Sequence, residues 1–101
     1  MKVIEVNEES FKKEVLEGGK VLVDFNATWC GPCRMLKPII DEFSDSASIK
    51  VCSIDVDNNE TVARDYNIYS IPCLILFENG TEIKRNTGLI SLDEIKNFVG
   101  E

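Results

Sequence analysis

Val21-Leu22-Val23 is apolar at every position, and a strand carries such a run when both of its faces are covered. A strand of that kind demands a sheet with layers packed above and below it. The flanking residues supply the covers. Ahead of the run, Phe11, Val15 and Leu16 lie on one face of a helix that Asn7 can cap at Glu8 and Gly18-Gly19 can end. Behind it, a longer helical pattern runs to about Ala47, with Met35, Leu36, Ile39, Ile40 and Phe43 expected inward. Pro38 falls inside that helix and is expected to kink it.

The alternation continues along the chain. Val3, Ile4 and Val6 suggest a short first strand, Lys20 to Phe25 the second, Val51 to Val56 the third and Leu74 to Phe77 the fourth. Asn58 or Asn59 can cap a short helix that carries Val62 and Ala63 and ends near Tyr66. Asn79-Gly80 followed by Thr81 to Lys84 is a two-residue hairpin signal. Ser91 and Glu94 form a capping box ahead of Ile95, Phe98 and Val99. Strands that alternate with helices imply parallel pairing, and the hairpin adds an antiparallel edge. The order therefore predicts an α/β architecture, a mixed central sheet with helices on both faces. At 101 residues the chain makes about one domain, with no repeat or linker to divide residues 1–101.

Charge and composition narrow the function. The net charge is −7, from 11 basic and 18 acidic side chains with no dense basic run, so neither nucleic acid nor an anionic membrane is an expected partner. No apolar stretch approaches the ~20 residues of a membrane span, and the first residues lack the apolar core of a signal peptide. A soluble cytoplasmic protein is expected, where stable structural disulfides are uncommon. The chain contains no histidine, which removes Ser-His and Cys-His nucleophile pairs and every histidine metal ligand.

Four cysteines remain to be explained. Cys30 and Cys33 follow a buried strand and open a helix, whose N-terminus presents unpaired N–H groups and partial positive charge. That setting favours a thiolate, most of all at Cys30, and places Cys33 one turn further on the same face. Cys30 can attack a substrate disulfide and Cys33 can then displace it, leaving Cys30 and Cys33 joined. Pro32 is tolerated in the first turn, and Gly31 leaves room for another backbone. Trp29 offers an apolar platform beside the sulfur, or else is a partly buried core aromatic. Zinc would need a second cysteine pair or histidines. Cys52 and Cys73 stand singly on different strands, so no metal is expected.

The segment from Val23 to Arg34, with Trp29-Cys30-Gly31-Pro32-Cys33 at its heart, resembles the active-site segment of the thioredoxin family. Pro38, Asp55-Val56-Asp57, Ser70-Ile71-Pro72, Phe77-Glu78-Asn79-Gly80 and Gly88 extend the resemblance in order along nearly the whole chain. The resemblance implies the thioredoxin fold, a five-stranded mixed sheet flanked by four helices. It matches Asp24 to a buried acid beneath the dithiol. A carboxyl among apolar neighbours should have a raised pKa and could take a proton from Cys33 through water; a solvated acid at a strand end is the alternative. The resemblance also matches Pro72 to a cis-proline facing the dithiol, which exposes the Ile71 backbone to an extended substrate segment. Gly88 would complete a shallow groove with Ile71, Gly31, Pro32 and Trp29, or serve only as a loop glycine.

Three positions depart from the family pattern. Asn26 stands where many members have tryptophan, Ser53 where members often have lysine or glutamate, and Cys73 where threonine usually follows the proline. Cys73 is either a simple replacement of similar size or a third redox-active thiol; Cys52 reads as inert core. The function that follows is reduction of protein disulfides by a monomer without a cofactor of its own. The chain has no dinucleotide fingerprint, so the resemblance implies a separate thioredoxin reductase, a flavoprotein linked to NADPH or to ferredoxin. The competing readings are a disulfide oxidant or isomerase, and a non-enzymatic interaction subunit of the same fold.

Overall fold

Asn7 and Ser10 fix the start of the first helix reciprocally. Asn7 Oδ1 accepts from the Ser10 N–H and Ser10 Oγ from the Asn7 N–H, at 2.9 and 3.0 Å. The computed structural model describes residues 2–101. It orders the chain as β1 (Ile4–Glu5), α1 (Glu8–Phe11, continued by a wider π turn over Lys12–Leu16), β2 (Lys20–Asn26), α2 (Gly31–Ser46), β3 (Lys50–Asp55), α3 (Glu60–Asp65), β4 (Cys73–Glu78), β5 (Thr81–Thr87) and α4 (Leu92–Val99). The five strands form one sheet in the order β1-β3-β2-β4-β5. β1 and β2 lie parallel to β3, while β4 runs antiparallel to both β2 and β5.

The central strand behaves as its composition demands, since Val21, Leu22, Val23 and Phe25 are all fully buried. Alternate residues enter opposite layers. Val21, Val23 and Phe25 pack with Phe11, Val15 and Val62, beneath α1 and α3. Leu22 packs with Leu36, Ile40, Phe43, Ile95 and Val99, beneath α2 and α4. Burying each such side chain is worth roughly 1.5–3 kcal/mol. The first layer is aromatic: Phe77 meets Phe11 and Tyr66 edge-on, with centroids 6.0 and 5.3 Å apart.

Three local expectations are corrected. Met35 is 63% exposed, because the buried stripe of α2 runs through Cys33, Leu36, Ile40, Phe43 and Ser44 and its neighbour in sequence lies ~100° around the helix. Asn59 holds the cap position of α3, but its side chain bonds elsewhere. Its Oδ1 accepts from the Glu8 N–H and its Nδ2 donates to the Asp55 carbonyl, each at 2.9 Å, so it ties α1 to the end of β3. The last strand runs three residues beyond Lys84, to Thr87. The hairpin before it has the backbone its residues suit, with φ of 51° at Asn79 and 85° at Gly80.

Candidate active site

The carboxyl end of β2 delivers the chain to the dithiol. The Val56 N–H donates to the Asn26 carbonyl at 2.8 Å, which holds this end against β3. The turn that follows is braced by the Cys30 N–H on the Ala27 carbonyl, at 3.3 Å, and by Arg34 Nη1 on the Thr28 carbonyl, at 2.9 Å. Cys30 then sits at the N-cap of α2, with Pro32 in the first turn. Its Sγ accepts the Cys33 N–H at 3.2 Å, the role that a serine or aspartate oxygen usually plays. Cys30 and Cys33 are joined as a disulfide across this turn, with Cα atoms 5.2 Å apart.

Both cysteines are 4% exposed. They pack in a small cluster with Ala27, and Ile71 covers its edge. The Ile71 carbonyl oxygen lies 3.8 Å from Cys30 Sγ. The Ile71–Pro72 peptide bond is cis, and Gly88 has φ of 108°. The Gly88 N–H donates to the Pro72 carbonyl at 2.8 Å, so Gly88 meets the segment whose Ile71 carbonyl borders Cys30. Nothing stands within 4 Å of where a Cβ would project at Gly31 or Gly88. Trp29 is 66% exposed, which places it on the surface and not in the core. Its Nε1–H donates to Asp57 Oδ2 at 2.6 Å, and Asp57 is itself set by its N–H on Asp55 Oδ1 at 2.8 Å. In the sequence Asp55 and Asp57 stand out only as part of the family pattern; their work of anchoring Trp29 depends on a contact across 28 positions.

Asp24 lies on the α2 side of β2 and is 4% exposed. Burial pushes its carboxyl up to about 7; the Asn26 amide works against this, Glu5 and Asp41 add to it, and Lys37 opposes it. Its Oδ1 has no hydrogen-bond partner. Asp24 and Cys33 both line a cleft of about 720 Å³ whose wall includes neither Trp29 nor Ile71. Two of the three departures from the family pattern meet here, since Asn26 Nδ2 donates to Ser53 Oγ at 2.8 Å. Spacing along the chain carried no signal for that pair. Cys73 is 2% exposed and packs in the aromatic layer with Phe25. Burial raises its thiol pKa, with Thr87 Oγ1 at 3.9 Å as a weak opposing partner. Cys52 is fully buried and its thiol is pushed up to about 11 by burial. Among the described residues no group of acidic, cysteine or histidine side chains could hold a metal, and no helix is long and apolar enough to cross a membrane.

Such an arrangement can accept electrons into, or release them from, one sulfur pair, with an acid and an open cleft behind it. Known proteins share the pattern over most of its length. The family model described as Thioredoxin matches residues 2–101. A thioredoxin from Pyropia yezoensis is 45% identical over 93 residues, which cover 89% of this chain and 87% of that protein. A protein from Mycobacterium leprae named bifunctional thioredoxin reductase/thioredoxin is 46% identical over 88 residues, 84% of this chain and 19% of that protein. Among solved structures, a mutant thioredoxin from Halobacterium salinarum superposes with a TM-score of 0.91 at 31% identity, over 97% of this chain and 88% of that one.

Proposed function

The chain belongs to the thioredoxin family and is a thiol–disulfide oxidoreductase acting on protein disulfides, and on that premise we propose how its residues divide the work. Residues 1–101 form one thioredoxin domain. Cys30 is the nucleophile, Cys33 the resolving thiol and Asp24 the proton acceptor. Trp29, Gly31, Pro32, Ile71, Pro72 and Gly88 frame the groove in which an extended substrate segment lies.

The observation that carries this reading is the 3.2 Å bond from the Cys33 N–H to Cys30 Sγ at the start of α2. A helix N-terminus supplies fixed N–H dipoles where water has been removed, and these favour sulfur as the anion. The Cys30 thiolate attacks one sulfur of the substrate disulfide. A Cys30–substrate S–S bond forms, and the other substrate sulfur leaves as a thiolate that takes a proton from solvent. Cys33 then loses its proton to Asp24, bonds to Cys30 and expels the second substrate sulfur as a thiolate, which also takes its proton from solvent. The substrate has gained two electrons from the protein and two protons from solvent, while the Cys33 proton stays on Asp24 until it too passes to solvent. The second attack is intramolecular, so it is fast relative to a competing external thiol.

A thioredoxin reductase, a flavoprotein linked to NADPH or ferredoxin, restores the dithiol. The name of the Mycobacterium leprae relative, which couples such a reductase to a thioredoxin, supports that assignment. The protein works in the cytoplasm as a monomer. Substitution Cys33→Ser tests the scheme: Cys30 should then hold substrates as stable mixed disulfides, identified by mass spectrometry after capture from lysate. Recovery of none, with Cys30 intact and titratable, would overturn it.

A further inference from the structure

Asn26 and Ser53 take no part in the exchange of sulfur bonds, yet the structure joins them behind the dithiol. Asn26 Nδ2 reaches both Ser53 Oγ, at 2.8 Å, and the Asp24 carbonyl oxygen, at 3.0 Å. The amide is thereby pinned against β3, from where it also favours the ionised Asp24 carboxyl. The pinned pair forms part of the wall of the cleft of about 720 Å³ that reaches Asp24 and Cys33. Among the described residues, Trp29, Cys30, Pro32, Ile71 and Gly88 lie outside that wall, so the cleft reaches Cys33 without involving the residues assigned to the substrate groove. A side chain as large as tryptophan at position 26 would take up this space; Asn26 leaves it open.

We propose that the small side chains of Asn26 and Ser53 leave open a hydrated passage by which Asp24 exchanges its proton with solvent while a docked substrate covers Cys30. The proposal rests on Asp24 acting as the proton acceptor. Asp24 is 4% exposed, its Oδ1 is unpartnered, and it lines the cleft. A buried polar oxygen in that position calls for water. The cleft is many times the ~30 Å³ that one water occupies in the liquid, and its rim is exposed and charged, with Lys37 and Asp41 on α2 and Glu5 on β1. Glu5 and Asp41 favour the protonated carboxyl and Lys37 the ionised one. Arg34 and Asp45 of α2, Asp55 of β3 and Lys2 complete the charged surroundings.

The passage matters at one step. Cys33 Sγ gives its proton to Asp24 and bonds to Cys30 Sγ. The Cys30–substrate S–S bond breaks, and the departing substrate sulfur carries the electron pair and is protonated by solvent. Asp24 is left protonated beneath a covered dithiol. The passage returns that proton to bulk water and restores the carboxylate, with no need for the substrate to leave first.

Single-turnover reduction of insulin, quenched in acid and followed by mass spectrometry, reads both steps: formation of the mixed disulfide reports Cys30, and its decay reports Cys33. Filling the passage with Asn26→Trp or Asn26→Leu should leave formation unchanged. Decay at pH 7 should slow on the order of tenfold, part of the roughly 10²–10⁴ that positioned proton transfer contributes. The pH midpoint of decay should also rise, since added apolar surface further disfavours the Asp24 carboxylate. Asn26→Ser, which keeps the space open, should restore the decay rate. Should Asn26→Trp fail to fold by far-UV circular dichroism, Asn26→Leu decides. Parental decay rates and midpoints in the folded filler variants overturn the passage. Asp24→Asn separates the two readings: parental decay in that variant overturns Asp24 as the acceptor, whereas slow decay there with parental decay in the fillers overturns the passage alone.

Discussion

Exposure barely distinguishes the chain's two kinds of cysteine: Cys30 and Cys33 are each 4% exposed, Cys52 0% and Cys73 2%. Their surroundings differ far more. Cys30 caps a 16-residue helix and faces a backbone N–H at 3.2 Å. Cys52 and Cys73 point from β3 and β4 into the aromatic layer, where burial pushes the Cys52 thiol up to about 11 and the Cys73 thiol upward. A helix end replaces the stabilisation that lost water would have given an anion; a sheet interior does not. Fixed dipoles, more than access, therefore divide reactive sulfur from packing sulfur in this fold.

The largest expected effect tests that division directly. At pH 7 a thiol with a pKa of about 11 is ionised to about one part in 10⁴, whereas even an unperturbed cysteine near ~8.5 is ionised to a few per cent. Reduced protein treated with limiting iodoacetamide should therefore be labelled at Cys30 at least ~10²-fold faster than at Cys52, as read by peptide mass spectrometry. Labelling of Cys52 or Cys73 at a similar rate would break the comparison.

Asp24 extends the same contrast to a carboxyl. Burial outweighs the help it gets from the Asn26 amide, so its pKa goes from 3.8 to about 7. Between those values the folded chain binds a proton that the unfolded chain has already lost. Stability from this group is complete below the unfolded pKa, falls as pH rises through that window, and stays low above about 7. The cost at pH 8 is on the order of 4 kcal/mol, at about 1.36 kcal/mol for each pKa unit. Asp24→Asn should raise the urea midpoint at pH 8 well above that of the parent, with a much smaller gain at pH 4. An equal gain at both pH values would mean that the carboxylate is not destabilised by burial.

The features legible in the sequence are those carried by near neighbours. The Asn79-Gly80 hairpin, the Ser91–Glu94 capping box and the closeness of Cys30 to Cys33 all join residues no more than three positions apart, where backbone geometry alone dictates the outcome. The doubly buried β2 was legible because its composition leaves no face for water. Contacts across many positions were not: Trp29 with Asp57, Asn26 with Ser53 and Asn59 with Glu8 are fixed by strand register and layer packing. Met35 was misread because one residue around a helix turns an inward side chain outward while leaving the apolar composition unchanged. That Ile71 borders Cys30 and Gly88 bonds to Pro72 was suggested only by the family resemblance, since nothing local requires it. The cleft behind Asp24 depends on a side chain being small, and periodicity does not register that.

The smallest expected effect concerns Cys73, which borders Pro72 in sequence yet packs away from the dithiol cluster. If its thiol is packing material, Cys73→Thr should leave insulin reduction unchanged. The added hydroxyl would lie near Thr87 Oγ1, which already stands 3.9 Å from the sulfur. That partner offsets part of the cost of burying a polar group, so the change in unfolding free energy should stay within about 1 kcal/mol, as for similar-sized core replacements. Urea titration of the two reduced proteins measures it. Mild oxidation of the parent should give the Cys30–Cys33 bond alone by mass spectrometry. A second disulfide involving Cys73, or a several-fold loss of reduction in Cys73→Thr, would place this sulfur with the reactive pair and show that neighbouring residues can confer reactivity on a thiol in a sheet interior.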